Sequence, residues 1–206
     1  MKNKIISVLA ILLLVFSVGC GKKKENLTDA KRFAKEYTNV SEDNAFVYST
    51  ADEIIGVLES GTGIIYLGSK DDTWSQAYVK YLNEVVKEEG IEKVYYLDIT
   101  AEQKNNTDKY LKIVDLLRDY LQYDDNGQKI IYIPTVIGMN KGLVVGFSDE
   151  SAWNKKGSNN PEEYWNEEEI TKLKNRLKEM VNATKTCINC DEDNLPKIEL
   201  ELEPHQ

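Results

Sequence analysis

Cys187 and Cys190, in Thr186-Cys187-Ile188-Asn189-Cys190-Asp191, form the one Cys-x-x-Cys of this 206-residue chain. Two sulfurs at that spacing can close a local disulfide, cycle as a dithiol redox pair, or supply half of a metal site. Zinc needs four ligands and the only histidine, His205, adds one at most, so no metal or other cofactor is expected. Asp191, Glu192 and Asp193 surround the pair with negative charge and no helix start follows, so neither thiol has the support that lowers its pKa. A local disulfide in the tail is the first reading. A thiol-disulfide oxidoreductase acting through Cys187 and Cys190 is the alternative.

A second group of polar residues opens a helix. Asp72-Thr73-Trp74-Ser75 follows the apolar run Ile64-Ile65-Tyr66-Leu67-Gly68 after a short loop. Thr73 and Gln76 have capping-box spacing, and Asp71 and Asp72 put negative charge where the helix dipole is positive. On that reading the segment is a helix start and no more. Trp74 is expected to be exposed there, and an exposed indole would anchor a partner. The sequence has no Gly-rich phosphate loop, no His/Glu metal spacing and no serine with a credible histidine partner. Glu162, Glu163, Glu167, Glu168 and Glu169 read as a solvated helix opening. Tyr95, Tyr96, Tyr120, Tyr123 and Tyr132 read as strand and core-edge aromatics.

The N-terminus has the pattern of an address. Lys2 and Lys4 precede an almost unbroken apolar run from Ile5 to Val18, too short to span a bilayer comfortably and with the profile of a secretory signal. Ser17-Val18-Gly19-Cys20 resembles the bacterial lipoprotein box, with Ser17 where that box usually carries leucine. The resemblance implies a signal over residues 1–19 and lipidation of Cys20, placing the chain on the extracytoplasmic face of the cell membrane. Lys22, Lys23 and Lys24 add a basic patch beside the anchor, each worth about 1 kcal/mol near anionic lipid. Removal of residues 1–19 deletes two lysines and no acid, which takes the formal charge from −9 to −11. That balance excludes nucleic acid as an expected partner.

The elements that must position these residues alternate. After a tether and short helix (residues 20–44, with Phe33 and Tyr37 on one helix face) comes a strand at Phe46-Val47-Tyr48. Thr50-Ala51-Asp52-Glu53 is a capping box that starts a helix carrying Ile54, Ile55 and Leu58. Ile64 to Leu67 is a strand buried on both faces, and Tyr78, Tyr81, Leu82, Val85 and Val86 mark the next helix. Val94 to Ile99 is a strand, and Tyr110, Ile113, Val114, Leu117 and Leu121 mark a third helix. Ile130 to Ile133 reads as a strand running into Pro134-Thr135; a turn at Met139-Asn140-Lys141-Gly142 leads to a strand at Leu143 to Phe147. Asn160 and Pro161 start a last helix with Ile170, Leu173, Leu177 and Met180 as its buried stripe. Residues 183–206 form an acidic tail. The order β-α-β-α-β-α-β-β-α predicts an α/β fold with a mixed sheet sandwiched by helices.

That order, with the turn after the second strand and Ile133-Pro134-Thr135 before the hairpin, resembles thioredoxin-like proteins over residues 45–182. In that family the turn reads Cys-x-x-Cys, and here Asp72 and Ser75 stand where the sulfurs would be. A carboxylate cannot attack a disulfide and a hydroxyl cannot resolve a mixed disulfide, so exchange at this turn is closed. The resemblance also implies a cis Pro134 facing the turn, where the neighbouring backbone pairs with an extended substrate. Together with the signal, it points to the envelope thioredoxin-like accessory proteins of Gram-positive bacteria. The function it implies is non-enzymatic: a membrane-anchored lipoprotein binding an extended polypeptide or envelope protein through Asp72, Trp74, Ser75, Ile133, Pro134 and Thr135.

Overall fold

A computed structural model describes residues 27–149 and 157–186. In chain order the elements are α1 (Asp29–Glu36), β1 (Phe46–Tyr48), α2 (Ala51–Ser60), β2 (Gly63–Gly68), α3 (Thr73–Glu88), β3 (Val94–Asp98), α4 (Thr100–Lys104) and α5 (Asp108–Leu116). They continue with β4 (Gln122–Tyr123), β5 (Lys129–Ile130), β6 (Thr135–Asn140), β7 (Leu143–Ser148), α6 (Pro161–Tyr164) and α7 (Glu167–Thr186). Five strands form one mixed sheet in the order β1-β3-β2-β6-β7. β1, β3 and β2 run parallel, β6 pairs antiparallel with β2, and β7 pairs antiparallel with β6. β4 and β5 make a separate two-stranded pair.

The period-2 geometry of β2 builds a core on each side of the sheet. Ile64 and Tyr66 point to one side, where α1, α3 and α7 supply Phe33, Tyr78, Leu82, Leu177 and Met180. Ile65 and Leu67 point to the other, where α2 and α5 supply Ile54, Leu58, Ile113 and Val114. Each fully buried side chain of this size stabilises the fold by about 1.5–3 kcal/mol. The α/β layering predicted by the alternation of elements is thus the layering observed. The capping box at Thr50 forms as read: Thr50 Oγ1 accepts from Glu53 N–H at 3.3 Å, and the Glu53 carboxylate accepts from Thr50 N–H at 2.7 Å. Those bonds hold the Glu53 carboxyl below its ordinary value.

Three elements differ from expectation. The first strand of the hairpin lies after the proline, not before it: Ile131 to Ile133 belong to no strand, and β6 starts at Thr135. Ile130 pairs only with Gln122 of β4. The last helix is two helices. Asn160 caps α6 by accepting from Glu162 N–H at 3.0 Å, and the chain restarts at Asn166, whose Oδ1 accepts from Glu168 N–H at 3.0 Å and Glu169 N–H at 3.1 Å. The cap of α3 is Asp72 rather than Thr73, and Gln76 does not reach back to it.

The β1 edge is closed to casual pairing, and β7 carries a bulge. On β1 the outward N–H groups of Phe46 and Tyr48 donate to Asn44 Oδ1 at 3.1 Å and Asp29 Oδ2 at 3.2 Å. On β7 a register shift opposite Gly138 and Met139 leaves Val145 as a bulge.

Candidate functional site

The loop after β2 is fixed from below. Tyr66 sends its hydroxyl past Gly68 to donate to the Ser75 carbonyl at 3.1 Å. A Cβ at position 68 would lie 2.7 Å from Tyr66 Oη, so only glycine leaves that path open. Asp72 Oδ2 accepts from Ser75 N–H at 2.6 Å, and Ser75 Oγ accepts from Ser69 N–H at 3.2 Å. Ser69 Oγ in turn donates to Asp98 Oδ2 at 3.1 Å, at the end of the neighbouring strand β3. Gln76 Nε2 donates to the Glu36 carbonyl at 2.7 Å and the Lys70 carbonyl at 2.8 Å, tying α1 to the same loop.

The polar groups at positions 72 and 75 are therefore engaged in holding a helix start. Ser75 is wholly buried and Asp72 half-buried. Beneath them Tyr66, Tyr37 and Tyr96 form a buried phenol layer, with the Tyr37 hydroxyl 3.1 Å from that of Tyr96. Burial pushes all three phenols above their ordinary value, so they stay neutral hydrogen-bonding groups and none serves as a base.

Trp74 overturns the expectation of an exposed anchor. It is 5% exposed, belongs to the core on the α3/α7 side, and meets the Tyr164 ring edge-on at 5.4 Å. A helix start offers no packing reason by itself; the reason arrives from α6, far along the chain. Trp74 is accordingly not a binding anchor.

The strand register brings the second segment to the turn. Thr135 lies opposite Leu67, so Pro134 stands beside Gly68, where the loop leaves β2. The Ile133–Pro134 peptide bond is cis, as the family resemblance implies. Pro134 and Thr135 are buried and Ile133 is half-buried. The Thr135 hydroxyl donates to the Tyr132 carbonyl and closes the bend. Among the described residues, neither the N–H nor the C=O of Ile133 has a hydrogen-bond partner. Asp72, Ser75, Ile133, Pro134 and Thr135 are thus brought to one end of the sheet, with Ile133 offering main-chain groups.

Aromatic residues lie next to this edge in the chain. Tyr120 stacks on Phe147 with ring centres 5.6 Å apart, and Phe147 lies opposite Ile137 on the α2/α5 side of the sheet. Tyr132 directs its hydroxyl to the Tyr123 carbonyl at 3.4 Å, and Tyr123 is 64% exposed. Tyr96 is core and Tyr120 and Tyr132 are half-buried core-edge rings as expected, whereas Tyr123 is exposed.

Cys20, Lys22 to Lys24, Cys187 and Cys190 lie outside the described residues. Among the described residues no group of three or more His, Cys, Asp or Glu is arranged to hold a metal ion, and no helix is long and apolar enough to cross a membrane. Comparison with family models, with curated proteins and with solved structures returns no match to this chain.

Proposed function

We propose that this chain is a thioredoxin-like lipoprotein, anchored through Cys20 to the extracytoplasmic face of a membrane, that holds an extended polypeptide at the Ile133–Pro134 edge and does no thiol chemistry at its turn. The observation that carries the reading is the Ile133 N–H and C=O, unpartnered among the described residues, beside the loop after β2. Main-chain groups at a strand end are what an extended peptide pairs with. Support for the thioredoxin-like part comes from the sheet order and from the register that sets Pro134 beside Gly68. The closed edge of β1 favours this end of the sheet for an extended segment.

Two measurements test the reading. Addition of extended peptides should move the amide resonances of Ile133 and Thr135 while those of β1 stay in place. Shifts confined to other surfaces, with Ile133 unmoved, would reject the edge. For the anchor, Cys20→Ala should abolish incorporation of labelled fatty acid; a variant that labels as strongly as the parent would remove the lipoprotein assignment.

A further inference from the structure

Two main-chain hydrogen bonds are a weak hold, because their net contribution is small beside the entropy lost when two molecules associate. Side chains around Ile133 must supply the rest, and their chemistry selects the partner. Resting on the edge reading above, we infer that the polypeptide held there is basic, an extended segment whose Lys or Arg side chains lie on the Tyr120, Tyr123 and Tyr132 ledge beside Asp119, Asp124 and Asp125.

Carboxylates neighbour the rings: Asp119 acts on Tyr120, and Asp124 and Asp125 act on Tyr132. Asp119 adjoins Tyr120, and both Asp119 and Asp125 are exposed and meet no cation among the described residues. The Asp124 carboxylate accepts from Asn126 N–H at 2.9 Å and Gln128 N–H at 2.8 Å, which holds it below the ordinary carboxylate value and so in its charged form. The Tyr132 phenol is raised by burial and then by Asp125 and Asp124, and that of Tyr120 by burial and then by Asp119. Negative potential therefore falls on the half-buried rings of Tyr120 and Tyr132, beside the exposed ring of Tyr123.

Such a ring-and-carboxylate surface is complementary to a cation, which gains from the ring quadrupole and the carboxylate together. The molecule already uses the geometry: Lys129 Nζ lies 4.1 Å from the Tyr123 ring centre on one face, and the Arg32 guanidinium lies 3.7 Å over Tyr48. Lys129 also donates to the Leu121 carbonyl, and Arg118 is paired with Asp115 at 3.5 Å, so these local cations have partners of their own. An acidic segment would instead meet the carboxylates of the ledge and the chain's net charge of −9.

Three short fluorescent peptides with a common extended Val/Thr pattern, and Lys, Gln or Glu at the same alternate positions, separate the outcomes when titrated against the full chain. The Lys peptide should bind about tenfold or more tightly than the Gln peptide, and the Glu peptide most weakly. Asp119→Asn with Asp125→Asn should bring the Lys peptide down to about the Gln level, while the Ile133 amide still shifts. Tyr123→Ala should cost the Lys peptide more than the Gln peptide. Equal affinities for Lys and Gln peptides, with Ile133 shifting, would overturn the basic-partner inference and leave the edge reading standing. Preference for Lys that survives the double Asn variant would also overturn it, since diffuse attraction by net charge would then suffice. Peptides that bind without moving Ile133, or fail to bind at all, would remove the edge and the inference together.

Discussion

Replacing Asp72 and Ser75 together by cysteine should convert a turn without sulfur into a disulfide reductase. The two positions are already as a reactive pair requires, one half-exposed at the cap and one buried a turn later. Asp72 Oδ2 reaches Ser75 N–H at 2.6 Å, so a sulfur at 72 falls where the same N–H and the helix dipole support a thiolate. Thiols so placed in Cys-x-x-Cys motifs have pKa values of about 7 or below, against about 8.5 for a free cysteine. The Asp72 cap would be lost at a cost of about 0.5–2 kcal/mol. The Ser69 N–H would also lose a good acceptor, adding about 1–3 kcal/mol. The reduced variant should therefore melt below the parent and regain stability when the pair is oxidised. Insulin reduction measured in a Cys187→Ser/Cys190→Ser background reports the new pair alone. A folded variant whose sulfurs never bridge under oxidant, or which bridges and reduces nothing, would sink the thioredoxin-like alignment of this turn.

What the sequence revealed of the fold, it revealed through local signals. The Thr50 capping box, the apolar run at Ile64 to Leu67 and the α3 stripe from Tyr78 to Val86 each carry their own period or cap, and each is where it was expected. β6 has no such signal. Its Thr135, Gly138 and Asn140 interrupt any apolar run, yet all six residues are buried. Their reasons are tertiary: Asn140 Nδ2 donates to the Thr184 carbonyl at 2.9 Å at the end of α7, and Gly138 makes room for Met180. Ile130 to Ile133 was the more strand-like text, and it is the part that peels away before the proline. The same distinction governs the site. The pairing of the turn with Pro134 was legible because the order of the two segments resembles that of thioredoxin-like proteins. The burial of Trp74 by Tyr164 was not, because nothing near residue 74 encodes it.

The approach of α7 to the hairpin makes Gly146 the most demanding position in the sheet. A Cβ there would lie 2.4 Å from Met180 Cγ and 2.8 Å from Met180 Cβ, contacts at the base of the side chain, which rotation of the far end cannot relieve. Gly138, its register partner on β6, faces the same methionine, with a Cβ position 2.6 Å from Met180 Cγ. The two glycines form a floor on which α7 rests, and α7 also supplies Leu173, Leu177 and Val181 to that core. Gly146→Ala should therefore destabilise the fold by about 1–3 kcal/mol, the usual cost of overpacking. Gly146→Val should cost more, because it adds branches where one carbon already clashes. If the clash with Met180 is the cause, Met180→Ala should be destabilising alone, by about 2–5 kcal/mol, yet add far less in the Gly146→Ala background. Urea unfolding of the four proteins gives the coupling directly from a double-mutant cycle. Additive losses would mean that α7 shifts as a body to admit the methyl group, and that the glycine floor does not set its height above the sheet.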